Sequence, residues 1–222
     1  MKKIAILLCG GAGSRMQSAV PKQFLKLDNG YSVLQNSVLK FAENGNIDAI
    51  IIVANEAYRA ETEQEVNYLN LSKPCSIVNG GESRSASSAA GVKAIENPDP
   101  SDIVLIHDVA RPFVSNEIID QSCSAMTHYQ AVSTVIPSSD TIYILNEHGE
   151  IESIPDRKNL CNVQTPQTFR YRIIAQAHAM AAAIGKNDFT DDSSMIHYFN
   201  LAEVGTVTGS VENKKITYLT DL

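Results

Sequence analysis

The chain has 222 residues, 44% of them hydrophobic, which is enough to bury a full core and fits one large domain, residues 1–222, better than two. Its formal net charge of −7 argues against a general nucleic-acid-binding or membrane-surface protein and leaves room for a local basic pocket that takes a small anion. No run approaches transmembrane length, no secretory leader is evident, and four widely separated cysteines without a C-x-x-C pair point to reduced thiols and a cytoplasmic setting.

The first apolar run, Lys3 to Leu8, stops at Cys9-Gly10-Gly11-Ala12-Gly13-Ser14-Arg15-Met16, the pattern of a buried strand feeding a tight loop at its carboxyl end. Open α/β sheets bind their ligands at that end. Glycines let backbone N–H groups approach phosphate oxygens, and Arg15 and Lys22, the latter in Pro21-Lys22-Gln23, add positive charge on either side. The dinucleotide fingerprint fails because Met16 stands where its last glycine belongs, and no G-x-x-x-x-G-K-[ST] loop occurs. Gly10, Gly11, Ala12 and Gly13 read as a triphosphate cradle, with a plain strand-to-helix turn as the alternative.

Helical spacing over Ser32 to Glu43 is followed by a strand from Ile47 to Val53, a charged helix from Glu56 to Leu69 and a short strand from Cys75 to Val78. An alanine-rich helix from Ser85 to Ile95, a strand from Ile103 to Ile106, a helix from Asn116 to Met126 and a strand from Ala131 to Ile136 continue the alternation. Such alternation predicts an α/β fold, doubly wound around a mainly parallel Rossmann-like sheet. The regularity breaks at Thr141 to Ile154, where two apolar segments flank Asn146-Glu147-His148-Gly149, the signature of a projecting β-hairpin. An arm at about 138–160 suits packing on a second subunit, so a homodimer is expected, the alternative being an arm folded over its own domain. A helix from Tyr171 to Ala183, a polar loop over Thr190 to Ser194 and a strand near Ala202 to Val207 follow, and Lys215 begins what reads as a last strand.

Four further clusters fall at expected strand ends or loops. Gly80-Gly81-Glu82-Ser83-Arg84 with Ser87 offers free N–H groups and a hydroxyl, or is only a turn with a helix cap. In His107-Asp108-Val109-Ala110-Arg111-Pro112, an acid at a strand end beside a phosphate site suits a magnesium ion, while an Asp108–Arg111 ion pair is the structural alternative. Thr141 and Arg157 on the arm suit a phosphate monoester, or are ordinary surface. Lys215, in Glu212-Asn213-Lys214-Lys215-Ile216-Thr217, could aim an ammonium into the cleft, although paired lysines are usually just solvated.

In this order the motifs resemble the cytidylyltransferases that attach CMP to a polyol phosphate: G-x-G-x-R-M, P-K-Q, G-G-x-x-R with Ser87, H-D-x-x-R-P, Asp140-Thr141, Arg157, Thr165-Pro166-Gln167 with Phe169, Thr190-Asp191, and Asn213 to Thr217. The match covers almost the whole chain. The resemblance implies that Arg15, Lys22 and the backbone of Cys9 to Gly13 hold the CTP phosphates, that Gly81 and Ser87 hold the cytidine, and that Asp108 serves Mg²⁺. It implies an acceptor site lined by Arg111, Thr165 and Lys215, completed by Thr141 and Arg157 from a partner subunit's arm, with Thr190 also among the substrate-binding residues. Lys214 departs from the family's usual Ile or Leu at that position.

A phosphate monoester is largely a dianion at neutral pH, so the acceptor needs no general base, and catalysis rests on alignment and on the charges of Arg15, Lys22, Lys215 and Mg²⁺. Two acceptors divide the family, D-ribitol 5-phosphate and 2-C-methyl-D-erythritol 4-phosphate. Cys9-Gly10-Gly11, the approach to Asp140-Thr141-Ile142, Ile154-Pro155 with Arg157, and Val207 to Asn213 favour ribitol; Thr190-Asp191-Asp192-Ser193-Ser194 and Cys161-Asn162-Val163 favour methylerythritol. On that wording ribitol 5-phosphate is expected. A nucleotide-binding regulatory protein without turnover is a further alternative, against which both Lys22 and Lys215 argue.

Overall fold

The computed structural model describes residues 1–10 and 20–221. Strand β1 (Lys3–Cys9) lies in the interior of a seven-stranded sheet, and the helices fall on both of its faces. In chain order the elements are α1 (Val33–Glu43), β2 (Ala49–Ala54), α2 (Arg59–Asn67), β3 (Cys75–Asn79), α3 (Arg84–Lys93), β4 (Ile103–Asp108), α4 (Asn116–Ala125) and β5 (Ala131–Pro137). Then come a separate two-stranded hairpin, β6 (Ile144–Leu145) and β7 (Ile151–Ser153), followed by β8 (Cys161–Arg170), α5 (Tyr171–Ala183), α6 (Asp192–Tyr198) and β9 (Val204–Thr208).

The sheet order is β3-β2-β1-β4-β8-β5-β9, parallel throughout except for β8, which runs antiparallel to both β4 and β5. After β1 the chain winds outward through β2 and β3 and then returns to the other side of β1 to lay down β4. The topological switch point therefore falls between β1 and β4, where Leu8 pairs with Asp108.

Alternation along β1 explains why helices cover both faces. Ala5, Leu7 and Cys9 join Val38 and Phe41 of α1, Val66 of α2 and Ile119 of α4 in one core; Ile4, Ile6 and Leu8 join Val92 of α3, Ile174 of α5 and Ile196 of α6 in the other. Local signals agree with this packing. Ser32 closes a capping box on α1, its Oγ accepting from Gln35 N at 3.1 Å while Gln35 Oε1 accepts from Ser32 N at 3.0 Å. At Gly91 of α3 a Cβ would lie 2.5 Å from Ile6 Cγ2, so only glycine lets the helix approach β1 this closely.

Three features differ from the sequence reading. The segment around Gln164-Thr165-Pro166-Gln167, to which the sequence reading gave no element, is the ten-residue strand β8, whose register against β5 shifts so that Ser133 faces Gln167 and Thr134 faces Gln164. Thr165 and Pro166 occupy the bulge, which is how a central strand tolerates a proline. Within the stretch read as a polar loop, Asp191 caps the short helix α6, its Oδ1 accepting from Ser194 N at 2.7 Å. Lys215 begins no strand; residues 210–217 run as turn and coil, tied to the sheet through Ile216 N to Ala110 O at 2.8 Å. The expected hairpin is present, with Ile144, Leu145, Ile151 and Ile154 all exposed on it. No helix among the described residues is long and apolar enough to cross a membrane.

Candidate functional site

A cavity of about 430 Å³ opens at the switch point, lined by Leu8, Cys9 and Gly10 from the end of β1, by Lys22, Gln23 and Asn55, by Gly81 to Arg84 and Ser87 at the start of α3, by Asp108 to Ala110 after β4, and by Lys215. Of the sequence-predicted residues it gathers Gly10, Lys22, Gly81, Ser87, Asp108 and Lys215. Gly11, Ala12, Gly13 and Arg15 lie outside the described residues. Arg111, Thr165, Thr190, Thr141 and Arg157 do not line the cavity.

Its floor is Asp108, one Oδ accepting from Arg84 Nε at 3.2 Å and the other from Lys215 Nζ at 2.7 Å. Burial alone would raise the Asp108 carboxyl, but the opposing charges of Arg84 and Lys215 outweigh it and hold the group well below the usual carboxylate range. Arg84 also donates from Nη1 to Asp192 at 2.8 Å; burial works against its charge, yet Asp192 and Asp108 together hold it firmly protonated. The Asp108–Arg111 ion pair offered as the structural alternative is replaced by Asp108 pairs to Arg84 and Lys215.

The backbone of Asp108 is fixed by a second network, whose proton positions follow from its chemistry. The carbonyl of Arg111 can only accept, so His107 donates to it from Nε2 at 3.1 Å. Burial pushes His107 down to about 4, so the ring is neutral and its Nδ1 accepts from Thr165 Oγ1 at 3.0 Å. The same hydroxyl accepts from Asp108 N at 3.1 Å. Thr165, 5% exposed, is thus a strut under Asp108 instead of a lining residue of an open acceptor site. Arg111 is likewise engaged: Nη1 donates to Asn213 O at 2.8 Å and Nη2 to Val163 O at 3.2 Å. Asn213, fully buried, donates from Nδ2 to Gln164 Oε1 at 3.1 Å and Thr165 O at 2.9 Å. Together these contacts clamp the segment that carries Lys215. Lys22 Nζ reaches the same segment, donating to Ile216 O at 3.2 Å.

At the mouth of the cavity Ser87 Oγ accepts from Gly81 N at 3.2 Å and donates to Gly81 O at 3.3 Å. A Cβ on Gly81 would come within 2.5 Å of Ala86 Cβ, so the loop before α3 can only be this tight with glycine. Thr190 is exposed, as are Thr141 and Arg157 on the arm, where Arg157 Nη1 donates to Ser139 O at 3.3 Å.

Sequence reading gave no role to His107, Arg84, Asp192 or Gln167. Gln167 is buried with a fully used amide: Nε2 donates to Ser133 Oγ and Asp191 Oδ2, both at 3.1 Å, and Oε1 accepts from the backbone of Asp192 at 3.0 Å and of Ser193 at 3.3 Å. The signal that could have found Asp192 is charge in the wrong place, since a buried acid needs a cation and Arg84 is the one left without a solvent-facing purpose on an alanine- and serine-rich helix.

Among the described residues no group of three or more His, Cys, Asp and Glu side chains could hold a metal ion. A single floor carboxylate does fit a magnesium that brings phosphate oxygens and waters as its other ligands, the usual mode for that ion.

The doubly wound sheet, with a cavity carrying Lys22, Arg84 and Lys215 at its switch point, has the fold of the α/β nucleotidyltransferases. The crystal structure of 4-diphosphocytidyl-2C-methyl-D-erythritol synthase from Anaerococcus prevotii DSM 20548 matches with a TM-score of 0.83 at 28% identity, over 99% of this chain and 94% of that one. The chain belongs to the family described as IspD: 2-C-methyl-D-erythritol 4-phosphate cytidylyltransferase, whose model matches residues 3–222. The 2-C-methyl-D-erythritol 4-phosphate cytidylyltransferase of Thermobifida fusca (strain YX) is 40% identical over 223 residues, covering 98% of this chain and 89% of that protein. The bifunctional ribulose 5-phosphate reductase/CDP-ribitol pyrophosphorylase Bcs1 of Haemophilus influenzae is 35% identical over 222 residues; the chain spans 47% of its length. The chain is a cytidylyltransferase of this family.

Proposed function

We propose that the chain transfers CMP from CTP to 2-C-methyl-D-erythritol 4-phosphate, releasing pyrophosphate. The observation that carries the acceptor is the 40% identity to the Thermobifida fusca enzyme over nearly the full length of both chains. This reverses the preference for ribitol 5-phosphate drawn from loop wording, which compared a few residues where the relatives compare the whole chain. D-ribitol 5-phosphate remains the second reading, favoured by the 35% identity to the Haemophilus influenzae CDP-ribitol protein.

In this reading residues 1–222 act as one nucleotidyltransferase domain. Gly10, Gly11, Ala12 and Gly13 cradle the triphosphate, Gly81 and Ser87 face the cytidine, and Arg15, Lys22 and Lys215 stabilise the charge that gathers at the α-phosphate during in-line displacement. Asp108 would hold Mg²⁺, which neutralises phosphate charge when bound. Lys215 starts on Asp108, poised at the cavity floor, and an incoming triphosphate offers it a stronger anionic partner. The acceptor dianion attacks without a base, so the protein's work is alignment. Thr190 flanks that acceptor, and Arg111 and Thr165 act on it by fixing Lys215 and Asp108. Thr141 and Arg157 bind its phosphate from the arm of a second copy; the exposed apolar residues of the hairpin support a homodimer. Four free thiols suit a cytoplasmic enzyme. Pyrophosphate release from CTP and Mg²⁺ with a panel of polyol phosphates tests the reading, and no release with any acceptor would overturn it.

A further inference from the structure

Arg84 reaches into the cavity from the first turn of α3, yet half of its anchoring lies behind it. Asp192, with a side chain 1% exposed, accepts Arg84 Nη1 on Oδ2 at 2.8 Å and Ser88 Oγ on Oδ1 at 2.5 Å. Ser88 is fully buried, and its Oγ lies 3.1 Å from Nε2 of His178 on α5. The proton positions are forced. Asp192 as a carboxylate only accepts, so the single hydroxyl proton of Ser88 points at it, and the remaining Ser88 contact must be a donation from His178 Nε2–H. The chain therefore reads His178 to Ser88 to Asp192, with Arg84 donating from the other end. The reverse tautomer would leave two lone pairs facing each other across one of these short contacts. Burial lowers His178, consistent with a neutral ring here.

We propose that Asp192, Ser88 and His178 are positioning residues that hold the Arg84 guanidinium in the nucleotide pocket, so that α5 and α6, which do not line the cavity, set its affinity for CTP. The proposal rests on the reading of that pocket as the CTP site. Arg84 has a long stem, and a guanidinium that must be ordered at the moment of binding loses affinity that a pre-held one keeps. Asp108 alone does not hold it, because Asp108 divides its two oxygens between Arg84 and Lys215. The amide of Gln167 fixes the backbone of Asp192, accepting from its N at 3.0 Å, while Arg84 and Ser88 hold the two carboxylate oxygens.

The test is CTP binding in the presence of Mg²⁺ by titration calorimetry, run on the full chain. Asp192→Asn is expected to weaken CTP binding about tenfold or more, and His178→Ala by a smaller factor that His178→Gln, whose amide can still donate to Ser88, recovers. The coupling to Arg84 separates positioning from general support of the fold. In an Arg84→Ala background, His178→Ala and Asp192→Asn should each change CTP affinity by less than about twofold, because the group they position is gone. Equal losses with and without Arg84, or wild-type affinity in Asp192→Asn, would overturn the proposal. Should Asp192→Asn fail to fold, the His178→Ala and His178→Gln pair carries the same decision. A wild-type chain that binds no CTP would instead refute the pocket reading itself.

Discussion

Thr165→Val separates two jobs that a threonine in this place can do. Valine keeps the shape and removes the hydroxyl that accepts from Asp108 N at 3.1 Å and donates to His107 Nδ1 at 3.0 Å. Both groups are buried and neither has room to turn to water. Each orphaned partner costs about 1–3 kcal/mol, and the hydroxyl's own burial is relieved, so a net loss of about 2–4 kcal/mol is expected. At roughly 2–4 °C per kcal/mol for a chain of this size, the melting midpoint should fall by about 4–16 °C. Thr165→Ser, which keeps the oxygen, should recover most of it. Thermal melts of the three proteins give the answer, read beside KM for the acceptor. An unchanged midpoint with a raised acceptor KM would show that Thr165 touches substrate and that the strut under Asp108 carries no weight.

Lys22→Ala and Lys215→Ala should each lower kcat by about 10² or more with the fold intact, since each removes charge used mainly in the transition state; steady-state turnover near wild type in either would contradict the assignment. Arg157→Ala should raise KM for the acceptor and leave CTP binding alone, and an equal CTP defect would show the arm to be misassigned. His107 is held near 4 in the fold against 6.5 as its ordinary value, so the unfolded chain binds the extra proton first and stability is lost as pH falls from about 6.5 to about 4. That loss amounts to about 3 kcal/mol at most, measured as urea midpoints against pH, and His107→Gln should show a shallower fall.

The doubly wound sheet was legible because its strands are continuous apolar runs and its helices carry their caps in the sequence, as Ser32 and Gln35 do. Strand β8 was hidden for a physical reason: its buried residues include the polar Gln164, Thr165, Gln167 and Thr168, the first three held by hydrogen bonds, and so show no hydrophobic alternation. Proline in the bulge concealed it further. Gly81, Ser87 and Asp108 could be placed in one cavity because each ends or follows a strand or lies at the start of a helix at the carboxyl edge of the sheet, whereas Lys215, which sits in coil, was placed there by the family resemblance. Arg111 and Thr165 were also recognised as belonging there, but a motif records proximity and not direction, and both turn their polar atoms toward the protein. Asp192 escaped notice because its partners Arg84 and Ser88 are about a hundred residues away along the chain, at separations of 108 and 104.

Cytidylyl transfer to a branched four-carbon polyol phosphate, as proposed above, is open to a direct kinetic comparison. The most direct measurement compares kcat/KM for 2-C-methyl-D-erythritol 4-phosphate and D-ribitol 5-phosphate at saturating CTP with Mg²⁺, following pyrophosphate release. A pocket separates acceptors that differ by a methyl branch and a carbon of chain length by about 1–3 kcal/mol per group, so a preference of at least about tenfold for methylerythritol phosphate is predicted. A preference of that size for ribitol 5-phosphate would contradict the acceptor, and no pyrophosphate with either would contradict the transfer.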